Sequence, residues 1–589
     1  MKSIHCADSP VMRRKKKFLL LALYDEYALG LRILASLLLE AGYGVQLVMF
    51  KKFSMAIRTE PTETEWELLH QTITDFAPDF IGVSMLSIPV VDEERLFKTV
   101  RNAAPRAVVV CGGFGPTLEP MRFLAFGPDY IVRGEGEKAM LAMATALEEG
   151  GDLKKSPNLA WLENGRLVQN PLVEQIDLAD IPVAVHGKEH IFYVDEDAAQ
   201  KLDPMLDSRG IYLTSTSRGC TSRCTYCAGG NWLDIYRDER GTCKRYRKRP
   251  IENVIEECVQ AKAAGATYIM FLDEFFVRPE AEYFRYFEEY RRRVGLPFGL
   301  MVHTAFMEKD DARFDVFVNA GVHDVEIGVQ SASRHVAADV FHRPVSLDTQ
   351  LRTIKKLYER WVSVAVDFIT GHSLEKEEDF LDTVDFVAKL PFDPSWPMRC
   401  HLEAFALGLL PGARIDELYP MLKNDPMPAT EKEFRQRILY LRHIIKDDGE
   451  FWAIYNNQTL RENPRLLKNI FNATYSRINA LFWQSTQARL EGKKVYFWGA
   501  GQSYQIYKHL FRHTRPQGII LDQGKTQDAV DGLPVLSPSE ALGDNAGGIP
   551  LIVFSSAPGI IATKVLCKYP AYSDIIPCYD ASYQQLFLA

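Results

Sequence analysis

Short apolar runs that alternate with helix-period segments are the feature that most limits how this 589-residue chain can fold. In the first part of the chain these runs lie at residues 18–23, 45–50, 80–84, 107–111 and 130–132. Buried strands joined through helices form parallel sheets, because each helical crossover returns the chain to the same edge. The pattern therefore predicts an α/β protein whose N-terminal part is a doubly wound, Rossmann-like sheet.

The same alternation returns twice further along the chain. A strand at 211–214 is followed by βα units with strands at 268–272, 299–303, 324–329 and 363–369. Repeated βα units predict a partial (β/α) barrel, and barrels of this kind place their reaction site at the C-terminal ends of the strands. Strands at 495–498, 518–521 and 551–555 predict a third, C-terminal α/β unit.

We therefore expect five segments along the chain. They are a Rossmann-like domain (1–150), a connector (151–204), a partial barrel (205–430), a helical segment (431–492) and a Rossmann-like module (493–589). The connector contains a hairpin at 158–170 around Asn164-Gly165, a dipeptide that suits the positive φ angles of a type I′ turn.

Composition excludes several classes of protein. The chain is 47% hydrophobic and 25% charged, with a formal net charge of −8, which excludes a disordered tail protein, a collagen-like repeat and a strongly basic nucleic-acid binder. The apolar run at 18–23 is cut by Asp25 and Glu26, and no stretch approaches the roughly 18 to 20 apolar residues that a membrane span needs. We expect a soluble cytoplasmic protein with no membrane span and no nucleic-acid partner.

Three cysteines carry the chemistry that the sequence predicts. Cys220, Cys224 and Cys227 form a C-x3-C-x2-C spacing directly after the first predicted barrel strand. Three thiolates on one short loop can hold three irons of a [4Fe-4S] cube and leave the fourth iron open to a substrate. The alternatives are a zinc site, which normally has four protein ligands, and three unrelated buried cysteines, which the spacing and the polar surroundings disfavour.

This motif, with Tyr226 inside it, resembles the radical S-adenosylmethionine (SAM) superfamily, in which the open iron chelates the amino and carboxylate groups of SAM. The resemblance extends over about 204–430 and implies further SAM contacts. They are Asp273 and Glu274 for the amino group, Gln330 and Ser331 near the ribose, and Gly371 near the adenine, in a turn where Ser373 replaces the expected proline.

The N-terminal unit resembles the cobalamin-binding domains of B12-dependent radical SAM enzymes. The implied cobalamin contacts are Asp25, Tyr27 and Gly30 in a D-x-H-x-x-G spacing, Ser84 and Leu86 in "SxL", Gly112 and Gly113 in "GG", and Gly134 and Glu135 in "GEGE". Tyr27 stands where the histidine would ligate cobalt, and we do not expect a phenol to replace it. Two readings stay open at this point: a corrin with no protein ligand below cobalt, or a domain that has lost its corrin. Each residue alone could also be an ordinary βα turn residue.

The C-terminal unit carries a partial dinucleotide fingerprint. Gly499-Ala500-Gly501 follows a predicted strand, and Asp522 lies where a ribose-binding acid would fall. Tyr504 replaces the third glycine, so we expect a degenerate Rossmann-like scaffold rather than a working NAD site. The basic run at 244–249 is predicted to be a solvated approach to a helix, with binding of anionic groups as the alternative.

Taken together, these resemblances imply a cobalamin-dependent radical SAM enzyme, similar to the class B methyltransferases, with a [4Fe-4S] cluster, SAM and cobalamin as cofactors. Such an enzyme cleaves SAM to a 5′-deoxyadenosyl radical and methylates an unactivated carbon of a small-molecule substrate. It also needs a reductant such as flavodoxin or ferredoxin. The alternatives are radical cyclisation or rearrangement without methyl transfer, and a radical SAM enzyme without a corrin. No catalytic side chain beyond the cofactor contacts is assigned.

Overall fold

The fold comes from a computed structural model, which describes residues 15–52, 59–86, 92–274, 276, 280–303, 311–521, 528–543, 548–555, 558–569, 572 and 574–578. The chain divides into two compact units. The first extends to Thr214 and includes Trp232–Arg245, and the second comprises Ser215–Asn231 and the chain from Tyr246 onward. The predicted segment boundaries at 150, 204, 430 and 492 stay predictions.

The first unit is built on one large sheet. Its strands are β1 (Lys17–Leu23), β2 (Gly44–Phe50), β3 (Phe80–Ser84), β4 (Val108–Gly112), β5 (Tyr130–Val132), β6 (Leu159–Glu163), β7 (Arg166–Gln169), β8 (Ile191–Asp195) and β9 (Ala198–Lys201). The strand order is β7-β6-β5-β4-β3-β1-β2-β8-β9, and the six strands from β5 to β8 are parallel. The five predicted N-terminal strands are confirmed.

The helices of the first unit are α1 (Leu29–Glu40), α2 (Glu63–Phe76), α3 (Glu93–Ala103), α4 (Phe114–Leu118), α5 (Pro120–Leu124), α6 (Glu137–Glu149), α7 (Leu206–Arg209) and α8 (Asp234–Arg240). Residues of α2, α3 and α5 pack in one buried cluster with the strands, and residues of α1 and α6 pack in another, so helices cover both faces of the sheet. Leu19 and Leu21 belong to one buried cluster, while Phe18 and Leu20 belong to another. Because side chains alternate along a strand, β1 feeds a core on each face, as a doubly wound sheet requires.

The segment from 151 to 204 adds two hairpins to the edges of this sheet. The predicted hairpin is present as β6–β7, with positive φ at Asn164 and Gly165 (51° and 74°). A second hairpin, β8–β9, turns through Glu196 and Asp197, whose φ angles are 50° and 55°. This turn uses no glycine or asparagine, so the sequence carried no signal for it.

The second unit contains the barrel strands. They are β11 (Ser217–Gly219), β12 (Tyr246–Lys248), β13 (Tyr268–Phe271), β14 (Phe298–Met301), β15 (Val322–Gln330), β16 (Ser363–Thr370) and β17 (Cys400–Ala406). The predicted strand at 211–214 is β10 (Ile211–Thr214), which belongs to the first unit. Strands β13 to β17 are parallel and neighbour one another in chain order, which confirms the predicted partial barrel. Strands β11 and β12 form a separate antiparallel ribbon.

The helices of the second unit follow the predicted βα pattern. They are α9 (Ile251–Ala263), α10 (Glu280–Glu289), α11 (Asp311–Asn319), α12 (Leu347–Glu359), α13 (Glu377–Ala388), α14 (Ile415–Leu418), α15 (Ala429–Ile444), α16 (Asp448–Tyr455), α17 (Gln458–Glu462), α18 (Leu467–Leu490), α19 (Gln502–Tyr507), α20 (Pro538–Leu542) and α21 (Pro558–Lys568). The last three belong to the C-terminal module. Within the described ranges, no helix is both long enough and apolar enough to cross a bilayer.

The C-terminal module is a Rossmann-like sheet, as predicted. Its strands are β18 (Lys494–Trp498), β19 (Arg515–Ile520), β20 (Ala529–Val530), β21 (Leu533–Leu536), β22 (Leu551–Val553) and β23 (Ile575–Pro577), in the order β20-β21-β19-β18-β22-β23. Gly499 has φ 92°, and a Cβ there would lie 2.5 Å from the Phe554 carbonyl oxygen, so the turn after β18 needs glycine. Tyr504 is buried, and its hydroxyl donates a hydrogen bond to the Asp531 carboxylate at 3.1 Å. Asp522 lies outside the described residues.

Candidate functional site

The cysteine loop leaves the β11–β12 ribbon. Gly219 pairs with Tyr246 and has φ 83°, a left-handed conformation that glycine adopts without strain, and Cys220 follows it directly. The basic run at 244–249 is therefore in part a strand, and not the solvated approach to a helix that the sequence predicted. Its Arg249 forms a buried ion pair with Glu257. The run supports the strand before the cysteine loop through backbone pairing.

Each of the three cysteine sulfurs receives a hydrogen bond. The amide of Ser222 donates to Cys220 Sγ and the amide of Gly229 donates to Cys227 Sγ, each at 3.3 Å. Arg343 Nη1 donates to Cys224 Sγ at 3.9 Å. Donors aimed at sulfur favour the thiolate form and tune an iron–sulfur cluster.

Backbone contacts fix the middle of the loop. The amide of Thr225 donates to the Phe341 carbonyl (3.0 Å), and its hydroxyl donates to the Val340 carbonyl (2.7 Å). Asn231 Nδ2 donates to the carbonyls of Cys224 (3.1 Å) and Cys227 (2.8 Å). The loop is thus held in shape by residues that the cysteine motif itself does not include.

The arrangement bears on which metal the cysteines can bind. In the described part of the chain, no group of three or more His, Cys, Asp or Glu side chains is spaced to hold a single metal ion. A zinc site needs its ligands around one point, whereas a cube places each thiolate on a different iron and spreads the three sulfurs apart. The donor set fits the cluster better than zinc.

Arg343 is the residue that sequence reasoning missed. Beside its contact with Cys224, its Nη2 donates to the Gly328 carbonyl at 3.0 Å, and its buried Nε has no partner among the described residues. The nearby guanidinium adds to burial in lowering the pKa of His303 to about 4, so this imidazole is neutral at pH 7. Arg343 follows no motif, and only its contact with Cys224 identifies it.

The two predicted acids after β13 have different positions. Asp273 is buried, and its carboxylate accepts hydrogen bonds from the Thr216 amide (3.0 and 2.9 Å), the Thr216 hydroxyl (2.9 Å) and the Ser217 hydroxyl. Glu274 is exposed, and its Oε1 lies 3.6 Å from the point where a Cβ on Gly229 would be. Asp273 therefore positions the strand before the cysteines, while the Glu274 carboxylate faces the cysteine loop.

Of the remaining predicted SAM residues, Tyr226 lies in the cysteine loop, and Gln330, Ser331 and Gly371 lie at the ends of β15 and β16. Tyr226 packs edge-on against Phe341, with ring centroids 4.8 Å apart. Gln330 ends β15 with φ 66°, a conformation rare outside glycine and often found at functional sites. Ser331 is buried and accepts from the Ser333 amide at 3.2 Å. A Cβ on Gly371 would lie 3.0 Å from Lys432 Cα, so packing against α15 explains this glycine.

The predicted cobalamin residues lie at one edge of the first unit. They follow β1 (Asp25, Tyr27, Gly30), β3 (Ser84, Leu86), β4 (Gly112, Gly113) and β5 (Gly134, Glu135). These four strands are neighbours in the order β5-β4-β3-β1 and run parallel, so their carboxyl ends meet. Ligands of doubly wound sheets bind at this edge.

A buried arginine fixes the loop after β1. Arg32 is fully buried, binds Asp203 with both guanidinium arms (2.8 and 3.1 Å), and donates to the Tyr27 carbonyl at 2.7 Å. The Asp25 carboxylate accepts from the amides of Tyr27 and Ala28. Burial raises the pKa of the Tyr27 phenol, which keeps it protonated and a poor cobalt ligand. Gly30 is exposed, with no atom within 4 Å of its missing Cβ.

At two of the predicted glycines the fold leaves no room for a Cβ. A Cβ on Gly113 would lie 2.5 Å from the Met85 carbonyl oxygen, and one on Gly134 would meet the Tyr236 hydroxyl. The amide of Glu135 donates to that hydroxyl at 2.7 Å, and its carboxylate accepts from the Ile176 amide at 3.1 Å. Among the nine predicted residues, Gly30 and Gly113 are exposed and the other seven are half-buried.

Comparison with known proteins identifies two domain families. Residues 16–144 match the B12 binding domain, and residues 214–387 match the radical SAM superfamily. The chain thus contains a B12-binding domain followed by a radical SAM domain, so both family resemblances are confirmed. Proteins with these domains use a [4Fe-4S] cluster, SAM and cobalamin, which is the predicted cofactor set.

The chain is also similar to individual enzymes. An anaerobic magnesium-protoporphyrin IX monomethyl ester cyclase of Rubrivivax gelatinosus is 24% identical over 326 residues, which are 54% of this chain and 55% of that protein. A cytidylyl-2-hydroxyethylphosphonate methyltransferase of Streptomyces wedmorensis is 24% identical over 390 residues, 59% of this chain and 69% of that protein. The matched region thus spans about half to two thirds of these relatives.

A solved structure shares the fold. The radical SAM methyltransferase TsrM of Kitasatospora setae, solved with its tryptophan substrate and a SAM analogue, matches with a TM-score of 0.53 at 20% sequence identity. The match covers 68% of this chain and 74% of that one. It confirms the α/β architecture of a B12-binding domain and a radical SAM barrel in one chain.

Proposed function

We propose that the protein is a cobalamin-dependent radical SAM enzyme that methylates an unactivated carbon of a small-molecule substrate. The observation that carries the proposal is the loop of Cys220, Cys224 and Cys227, with a donor on every sulfur and the Glu274 carboxylate facing it. When bound, the cofactors supply reductive cleavage of SAM and a transferable methyl group. The methyltransferase names of two of the similar proteins support methylation.

The residues of this chain bind and orient the cluster and SAM. We assign the three thiolates to the cluster, the Glu274 carboxylate to the SAM amino group, and the Arg343 guanidinium to the SAM carboxylate. Arg343 has a buried Nε without a partner, and an anion at that side would satisfy it. Asp273 and Thr225 hold the loop so that these groups converge.

A second candidate is radical ring formation without methyl transfer. It is favoured by the similarity to the Rubrivivax gelatinosus cyclase. Both reactions need the same cofactors, so the residues around the cluster do not separate them. Product analysis after incubation with methyl-labelled SAM does: methylation requires label in the product, and cyclisation requires none.

The cluster assignment is tested by one substitution and a matched control. Cys224→Ala removes one iron ligand and should abolish formation of 5′-deoxyadenosine from SAM under reducing conditions. Cys258→Ala changes a cysteine buried in α9 and should keep the cluster and the product. Wild-type amounts of 5′-deoxyadenosine from the Cys224→Ala variant would contradict the proposal.

The corrin assignment needs its own measurement. Protein purified with hydroxocobalamin should retain corrin, read by its visible absorbance at one equivalent per chain. A colourless protein with a full complement of iron and sulfide would support the alternative of a radical SAM enzyme without a corrin.

A further inference from the structure

Three acidic side chains on adjacent barrel strands are not used by the proposed function. Glu326 lies on β15, Asp367 on β16 and Glu403 on β17, and we call them the lumen acids. Asp367 is in register with Gly328 on one side and Glu403 on the other. Glu326 is two residues before Gly328 and so shares its face.

This face is the interior of the barrel. Along β15 the residues of the opposite face, Val325, Ile327 and Val329, are fully buried, as expected where helices cover the outside of a barrel. Glu326 and Gly328 are only half-buried, so the inner face is in part open to solvent.

Burying three carboxyl groups together is costly. Burial, then the Glu326 and Glu403 charges, raise the pKa of Asp367 far above its ordinary value, and burial also raises the pKa of Glu326. Burial and the Glu326 charge raise the pKa of Glu403 to about 7. Such groups persist where a counter-charge or a function compensates them.

The described cations compensate the lumen acids only in part: His401 lies 3.9 Å from Glu403 but burial lowers its pKa, and the Arg343 charge lowers the pKa of Asp367 without a hydrogen bond to it. Asp367 is only 7% exposed, and none of the described donors reaches its Oδ1. Arg343 is near, but its two Nη groups donate to Cys224 and the Gly328 carbonyl. A hydrogen bond links the carboxyl groups of Asp367 and Glu326, and the Asp367 Oδ1 remains a buried acceptor that no described donor reaches.

The surroundings indicate the kind of group that fits. The lumen acids do not belong to any described group spaced for a single metal ion, which favours an organic cation with several N–H donors. Met301 is the cross-strand neighbour of Glu326 and is 40% exposed, a large apolar side chain beside the acids. Phe405, two residues after Glu403 on the same face, is half-buried.

We propose that the lumen acids bind an ammonium or guanidinium group of the substrate, carried on an apolar skeleton that packs against Met301. The inference rests on the proposed function, because it assigns the substrate class of the same barrel. A cationic group placed there donates to the Asp367 Oδ1 and supplies the counter-charge that the described cations provide only in part. It also holds the substrate on the inner face of the strands whose ends carry the cluster loop contacts.

The test uses a cation and its neutral isostere. The probes are 2-phenylethylammonium and 2-phenylethanol, and binding to the oxidised, SAM-loaded, reconstituted protein is measured by calorimetry at pH 8. Loading with SAM fills the cluster site first. The wild type should bind the ammonium at least tenfold more tightly than the alcohol, and Asp367→Asn should reduce that preference at least tenfold.

Two further variants test whether the ammonium preference depends on the lumen acids. Glu403→Gln should also weaken the preference, and Glu359→Gln, which changes an exposed acid at the end of α12, should leave it unchanged. Circular dichroism and iron content verify that each variant is folded and loaded. Equal affinity of the two probes for the wild type, or an unchanged preference in Asp367→Asn, would overturn the inference.

The two proposals fail in different ways. A wild type that forms 5′-deoxyadenosine but shows no ammonium preference keeps the proposed function and refutes this inference. A wild type that prefers the ammonium but never cleaves SAM supports the site and refutes the proposed function.

Discussion

Glu403→Gln should make the protein more stable at alkaline pH, although it removes a residue of the proposed substrate site. The pKa of Glu403 is raised from its ordinary value of 4.5 to about 7. A folded-state pKa above the unfolded value means that stability is lost as pH rises through this window, because the unfolded chain releases the proton first. Glutamine cannot ionise and escapes this loss.

The size of the effect follows from the pKa change. Each pKa unit is worth about 1.4 kcal/mol, so the raised pKa of Glu403 lowers the free energy of unfolding of the wild type by about 3 kcal/mol at pH 8. The Glu403 side chain is 34% exposed, so water screens part of this effect. We therefore expect Glu403→Gln to be more stable than the wild type by about 2 kcal/mol at pH 8. At pH 5 the same calculation gives roughly a quarter of the stabilisation that is expected at pH 8.

Other titratable groups face Glu403 and are kept constant in the comparison. They are Glu326 and Asp367 on the neighbouring strands, His401 on the same strand and Tyr440 on α15. Burial lowers the pKa of His401, so it is neutral over most of the range and does not reverse the sign.

The assay is differential scanning calorimetry of wild type, Glu403→Gln and the surface control Glu359→Gln at pH 5 and pH 8. Glu403 belongs to the second unit, of about 360 residues, for which about 2 kcal/mol corresponds to roughly 3 °C in the transition midpoint. The gain should shrink at pH 5 and be absent in the control. A gain of the same size at both pH values, or a less stable Glu403→Gln at pH 8, would contradict the assigned pKa shift.

Three further outcomes are expected. Glu274→Gln should raise the SAM concentration needed for half-maximal 5′-deoxyadenosine formation about tenfold, because a charged contact to an ammonium becomes a neutral one. Tyr27→His should change the visible spectrum of bound corrin, because imidazole is a good metal ligand and the phenol is not. Arg32→Met should destabilise the first unit by about 3 to 5 kcal/mol in urea unfolding, because it leaves Asp203 buried without its cation.

Each of these has a clear negative result. An unchanged SAM dependence for Glu274→Gln would remove that carboxylate from the SAM site. An identical corrin spectrum for Tyr27→His would mean that the loop after β1 does not lie below cobalt. A loss smaller than 1 kcal/mol for Arg32→Met would show that the Arg32–Asp203 pair is not needed to hold that loop.

The strands could be predicted from the sequence because their signal is local. Runs such as 80–84 and 363–369 are apolar, rich in β-branched residues and bounded by helices, and both form strands at nearly those residues. The β8–β9 hairpin was missed because its turn uses Glu196 and Asp197 in a left-handed conformation that sequence rules assign to glycine or asparagine.

The site was predictable only as far as it lies in motifs. The spacing of Cys220, Cys224 and Cys227 identified the cysteine loop, and the family resemblance pointed to Glu274 after β13. Arg343 reaches Cys224 from a distant loop, so its role depends on tertiary folding and leaves no pattern in the sequence. One lumen acid did leave a signal: Asp367 interrupts the apolar run from Val364 to Ile369 of β16, where an ionisable residue is rare without a reason.

Three cysteines are proposed to hold a [4Fe-4S] cluster whose fourth iron is open to SAM. The test is the electron paramagnetic resonance spectrum of the anaerobically reconstituted, dithionite-reduced protein before and after addition of SAM. We expect a reduced-cluster signal whose shape changes when SAM is added. A cluster signal that SAM leaves unaltered, or no cluster signal in protein with all three cysteines, would contradict it.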